Sequence, residues 1–403
     1  MDNRALILLM TSALLMAGCD GQDDGLQPVS SASAIGFTAT VGSSPDSLDD
    51  GSQTALSAVW QDRRRNPGSD CLLEVTASPW ETALTRADGE AGLSDLKNGR
   101  GFGVFAAYTG VNRYGDTSVS SDFMYNQPVA WEGSAWSYTP VKYWPNGEGL
   151  GGSNTHYVSF FGYAPYSDLD GSDPSSNPAG YCISGFSQPH EKGDPWLTYR
   201  LIDESYLGSQ VDLLCAKSLD MTRPEVDTPV ELEFSHALSC VGDEITVETG
   251  SDMRNYLKSM VTGGVSSVML RLTDVSVTYT LAEKGRLVLW NRSGVANWQP
   301  VLSENLTCER VPALTGSLPV TLYSYSGGSD STDTWSDSGH GVFFIPLDES
   351  VINQKATINI TYEVILNGSV VFATHDGVSE VSFGSQASPG RRVALKCIIN
   401  KVS

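Results

Sequence analysis

The sequence has few of the residues that carry most catalysis and metal binding. It holds five histidines in 403 residues, His156, His190, His236, His340 and His375, and none is spaced as HExxH or HxH. No CxxC pair occurs, which excludes the common structural zinc sites. The GxSxG nucleophile elbow is absent. Basic residues are scarce: 25 Lys and Arg stand against 47 Asp and Glu, for a net charge of −22. So acidic a chain is repelled by nucleic acid, which is therefore no expected partner. The one basic cluster, Arg63, Arg64 and Arg65, is too short for a nucleic-acid footprint and reads as a protease-sensitive loop.

Weaker chemical signals fade on inspection. Gly147, Gly149 and Gly152 in "GEGLGG" match GxGxxG, but that motif works at a helix N-terminus and a strand-like run, "HYVSFFGYAP", follows. His236, in "EFSHALS", has no partner motif and reads as a hydrogen-bonded structural histidine. Nothing singles out two of the 47 carboxylates as a glycosidase pair. The expectation is a non-enzyme with no cofactor and no metal.

Helical periodicity is also lacking. The chain is instead rich in Val, Ile, Thr, Tyr and Phe runs separated by Gly, Asn and Asp, as in "NGRGFGVFAAYTG", "HYVSFFGYAPY" and "KATINITYEVILNGSVVFATHDG". In the last, Ile358, Ile360, Tyr362, Val364 and Leu366 recur every second residue up to Asn367-Gly368, the strongest short hairpin signal. Many short strands with such turns predict an all-β fold of sandwiches. Pro224 and Pro229 place a domain boundary near Arg223 to Thr228. Six cysteines beyond Cys19 (Cys71, Cys182, Cys215, Cys240, Cys308 and Cys397) have long irregular spacings, and several sit where a strand takes Val or Ala, so they read as buried thiols.

The N-terminus is a targeting segment. "ALILLMTSALLMA" has 13 mostly apolar residues, short of the ~20 that span a bilayer. It runs into Met16-Ala17-Gly18-Cys19, which resembles a bacterial lipobox with Met16 in place of the usual Leu; residues 1–18 would be the signal and Cys19 the lipid-bearing residue. Asp20, Asp23 and Asp24 resemble the surface-export signal of Bacteroidales lipoproteins. Within residues 19–86, "SAIGFTATV" alternates Ile35, Phe37, Ala39 and Val41 as one amphipathic strand, and "CLLEVTASPW" is a candidate second strand.

Several segments occur together in order: the lipobox, "LTRADG", "GFGVFAAYTG", "DFMYNQPVAW", "WSYTPVKYWPN", "VSFFGYAPY", "QVDLLCA" and "VELEFSHALS". In this order they resemble the fimbrillin family of Bacteroidales, subunits of type V pili, strongly from Leu84 to Ser239 and less so beyond. The resemblance implies two tandem transthyretin-like β-sandwich domains, residues 87–224 and 225–403, export as a lipoprotein to the outer surface of the outer membrane, and assembly into a fimbrium. It implies an Arg-directed protease cutting between Arg86 and Ala87, and other pilin subunits as partners, joined by strand exchange, with host or bacterial surfaces as adhesion targets. The Arg63 to Arg65 cluster is an alternative cleavage point. The closing stretch, residues 391–403, alternates Val393, Leu395, Cys397 and Ile399 and is both a candidate donor strand and an ordinary last strand. A non-polymerising surface adhesin, glycan-binding or anchor protein is the competing reading.

Residues 123–146 hold seven aromatic side chains. Exposed and coplanar they would form a sugar platform; packed between sheets they are core and part of an inter-domain seam, which is the expected role.

Overall fold

Alternation builds strands along most of this chain. In the computed structural model, "KATINITYEVIL" buries nearly every second side chain, and Asn367 and Gly368 take φ of 46° and 83°. A two-residue hairpin turn needs such positive values. The structure describes residues 33–41, 60–65, 71–79, 92–145, 155–202, 210–224, 226–290, 297–301, 307–383 and 388–400; of residues 60–65, 71–79 and 374–379 it describes the backbone.

In chain order the strands are β1 (Phe37–Val41), β2 (Trp60–Arg65), β3 (Cys71–Pro79), β4 (Phe102–Gly110), β5 (Met124–Trp131), β6 (Trp136–Ser137), β7 (Tyr157–Ala164), β8 (Ile183–Phe186), β9 (Trp196–Arg200), β10 (Leu214–Met221) and β11 (Val230–His236). They continue as β12 (Ser239–Thr249), β13 (Ser267–Ala282), β14 (Lys284–Val288), β15 (Asn297–Gln299), β16 (Thr307–Arg310), β17 (Val320–Ser326), β18 (Ser329–Thr332), β19 (Thr334–Ser338), β20 (Val342–Phe344), β21 (Lys355–Leu366), β22 (Ser369–Ser382) and β23 (Arg391–Ile399). Among the described residues three short helices interrupt them: α1 (Leu93–Asn98), α2 (Pro178–Cys182) and α3 (Ser251–Ser259). The architecture is an all-β, multi-domain sandwich.

The first sheet has the order β1-β11-β10-β7-β4-β5-β6. Its inner strand β4, between β7 and β5, is buried on both faces. Phe102, Val104 and Ala106 enter one apolar cluster, while Phe105 and Ala107 enter another. Gly103 in that strand has no alternative, because a Cβ there would lie 2.2 Å from the Tyr163 ring. A four-stranded sheet, β15-β14-β9-β8, then joins the two halves of the chain, with Leu197 of β9 facing Leu287 of β14. Through it the second cluster runs without a break from Phe161 and Tyr163 to Ile245, Tyr279 and Leu395.

The second half forms two sheets, β19-β12-β23-β3-β2 with β20 beside β12, and β18-β17-β13-β21-β22 with β16 beside β13. Two expectations change here. The connection carrying Pro224 and Pro229 joins β10 to β11, which pair antiparallel in the first sheet (Cys215↔Ser235), so the chain passes to its second half at Ala237 and Leu238. Prolines mark a break in regular structure, and the link between paired strands needs one as much as a domain linker does. Arg63, Arg64 and Arg65 are likewise strand and not loop: they close β2, which pairs with β3 and forms the sheet's outer edge. Consecutive charges suit an edge strand, where they discourage further pairing.

Candidate functional site

β1 sits between two edges. On one side it runs parallel to β11, from Phe37↔Val230 to Val41↔Phe234. On the other, the backbone just before it pairs antiparallel with residues 142–144: the Ile35 amide donates to the Lys142 carbonyl at 2.9 Å, and the Trp144 amide to the Ser33 carbonyl at 3.0 Å. The Val230 amide donates to Gly36 O at 2.8 Å, and the Tyr138 hydroxyl to Ile35 O at 2.8 Å. The Ser33 hydroxyl donates to the Asp227 carboxylate.

Alternation decides which side chains are buried. Ile35, Phe37 and Ala39 are 2%, 4% and 7% exposed, Val41 is half-buried, and Thr38 and Thr40 face solvent. Phe37 is the anchor. Its ring lies 5.5 Å from Tyr138, 5.7 Å from Phe160 and 6.2 Å from Phe102, mostly edge-on. Such contacts add to the area that Phe37 buries.

The aromatic stretch builds this slot. Trp136 meets Phe102 edge-on at 4.9 Å, Trp144 meets Phe160 at 5.9 Å, and Trp136 and Trp131 cross at 66°. Lys97 caps the Trp131 ring at 4.2 Å. Of its seven rings Trp136 and Trp144 are buried, Phe123, Trp131 and Tyr138 are half-buried, and Tyr125 and Tyr143 are exposed, so the stretch is core only in part. The stretch divides: Trp136 and Trp144 belong to the cluster around Phe37, while Tyr125 meets Phe105 of the other cluster edge-on at 5.3 Å and its hydroxyl donates to Ser187 O at 2.7 Å, just after β8 of the joining sheet. The reason for the first placement is that β6 ends the sheet and Tyr143, just beyond it, bridges to Ala34 beside β1.

β23 occupies the middle of its sheet. Val393, Leu395, Cys397 and Ile399 are all buried in the large cluster. β23 pairs parallel with β12 and antiparallel with β3. Strand β3 therefore lies in the second half, beside β23, and not over the slot of the first sheet. Cys19, Arg86, Ala87 and the "GEGLGG" motif lie outside the described residues.

The remaining candidates are structural in their surroundings. Buried His236 meets the buried Asp212 carboxylate through Nδ1 at 2.8 Å. Among the described residues no three His, Cys, Asp or Glu gather as metal ligands, and no helix is long and apolar enough to cross a membrane. A cavity of about 290 Å³ opens beside Tyr114, Asp116, Asp194 and Trp290. Burial raises the Asp194 carboxyl, which accepts from the Tyr114 hydroxyl at 3.0 Å. Tyr114 and Trp290 cross at 89°, so these two rings form no flat sugar platform. Sequence reasoning missed the clasp at residues 142–144 and the pairing of β3 with β23. Both are made by backbone groups, which leave little signature in side-chain identity.

No family profile matches the sequence, and no curated protein matches it. Among solved structures, the chain is similar to a fimbrial protein from Bacteroides vulgatus ATCC 8482, at 19% identity, covering 79% of this chain and 94% of that one, with a TM-score of 0.49. It is also similar to a Bacteroides ovatus ATCC 8483 protein assigned provisionally to cell adhesion, at 12% identity, covering 92% and 93%, with a TM-score of 0.33.

Proposed function

We propose that this chain is a structural subunit of a surface fimbrium that supports adhesion, exported as a lipoprotein through Cys19 and assembled by strand exchange after its leader is cut. The carrying observation is β1: a short strand from the leader, anchored by Phe37 in an aromatic slot and clasped between β11 and residues 142–144. While β1 is seated, both edges are paired and the slot is filled. Hydrolysis of the Arg86–Ala87 peptide bond by an Arg-directed protease severs β1 from the body. Its departure leaves unpaired N–H and C=O groups and an apolar slot, which is what a strand from another subunit can occupy. The candidate donor, β23, repeats the pattern of the strand it would replace. Val393, Leu395, Cys397 and Ile399 have the same period as Ile35, Phe37, Ala39 and Val41.

The test is assembly on the cell surface. Arg86→Ala is expected to yield monomers that keep the leader, and removal of residues 393–403 a subunit that cannot extend a fibre; normal fibres from either variant would overturn the corresponding step. A second reading, a surface adhesin or anchor that retains its leader, draws on the long pairing of β3 with β23. The N-terminus of the mature protein separates them: Ala87 for the subunit, a lipid-blocked Cys19 for the retained leader.

A further inference from the structure

β23 has a ladder on each side. Against β12 it runs parallel through seven facing pairs, from Cys240↔Arg392 to Thr249↔Ile399. Against β3 it runs antiparallel through nine, from Arg391↔Pro79 to Ile399↔Cys71. β2 covers the far edge of β3. Outward, the sheet thus ends in the polar sequence "WQDRRR", while the edge behind it belongs to "RRVALKCII". Charges on an edge strand discourage pairing with another chain, whereas an apolar alternating strand invites it.

We propose that the hairpin of residues 60–79 is a second lock in the leader, that it masks the β23 edge as an interaction surface, and that the partner of that surface is a second copy of this chain. The inference rests on the strand-exchange reading above and adds its regulation. β1 and the hairpin both precede Arg86, so one cut detaches the segment that fills the acceptor slot together with the segment that covers the donor. A subunit then cannot donate before it can accept. Loss of the hairpin also leaves β23 an edge strand held by a parallel ladder alone, the slightly weaker of the two pairings per residue. β23 is then free along one edge for a neighbour's slot.

The test uses the full chain with Arg86→Ala, so that β1 stays covalently attached, and replaces residues 60–79 with a Gly/Ser linker of equal length. Hydrogen exchange is followed at residues 391–399 and 230–236. The expected result is exchange faster by on the order of tenfold at 391–399, with 230–236 unchanged beneath the seated β1. The same variant, mixed with cut wild-type subunits, is expected to end fibres on one side, donating β23 to a cut subunit while its own slot, filled by β1, accepts none. Unchanged exchange at 391–399 overturns the lock.

A second variant guards against misfolding. Thr76→Cys with Ala394→Cys places two thiols at a facing pair of the β3–β23 ladder. Oxidised and then cut, it is expected to stay unassembled until reduced; fibres from the oxidised form overturn the lock. Cut wild-type subunits that never associate would instead overturn strand exchange itself, with the exchange rates still reporting whether the hairpin guards β23.

Discussion

Phe37 concentrates the seating of β1 in one side chain. Its ring is surrounded by Phe102, Tyr138 and Phe160 and is nearly fully buried. Phe37→Ala is expected to cost about 3–5 kcal/mol in the uncut chain, the usual range for emptying such a site. Denaturant titration followed by tryptophan fluorescence measures it. The same substitution should have no effect on the body once the leader has been removed, and an equal loss there would refute the detachable-strand account. The buried thiols offer a second measurement. Desolvation pushes Cys182 and Cys215 up to about 11 from the ordinary 9.0. Both are neutral at pH 8, and iodoacetamide is expected to leave them unlabelled until the protein unfolds; rapid labelling of the native protein would contradict their burial. A thiol whose folded pKa is raised stabilises the fold below the unfolded value, so this contribution falls away as pH rises from about 9 to about 11.

At the scale of elements, alternation of apolar residues made most strands legible. β21 and β22 follow from Ile358, Ile360, Tyr362 and Val364 and from the Asn367-Gly368 turn, because period-two burial and positive φ are local properties. β2 was illegible for the complementary reason: "WQDRRR" has no apolar face, and only its ladder with β3 makes it a strand. The loop entering α2 carries a pH prediction. The Asn177 side chain, then the Asp170 amide and Arg100, hold the Asp168 carboxyl at about 2, below its usual 3.8. A depressed carboxylate stabilises the fold above its unfolded pKa and loses that contribution as pH falls from about 4 to about 2. Hydrogen exchange in residues 168–177 is expected to rise across that window and to show no such step in Asp168→Asn. A step surviving in the variant would assign it to another group.

For the whole molecule, the continuous core across the β9–β14 pairing is the governing feature. Bodies that share one apolar core unfold together, since opening either exposes the other's face. Calorimetry of the uncut chain is therefore expected to show one transition; two separate transitions would mean that the halves are energetically independent. Domain organisation was the least legible level. Pro224 and Pro229 pointed to a boundary between β10 and β11, yet those strands are neighbours in one sheet, and the joining sheet draws β8 and β9 from one half and β14 and β15 from the other.

Local chemistry set the all-β character, the alternation of Ile35, Phe37, Ala39 and Val41 and of Val393, Leu395, Cys397 and Ile399, and the burial of Trp136 and Trp144 within the aromatic stretch. Each is a preference that a few neighbouring residues express through their own side chains. Long-range pairing set the rest: β1 beside β11 and residues 142–144, and β3 on β23. Those partners are up to some three hundred residues apart in the chain, and they meet through N–H and C=O groups that every non-proline residue carries alike. Which edge a strand covers is therefore a property of the folded sheet, and in this chain it places β1 on β11 and β3 on β23, the two strands through which subunits are proposed to join.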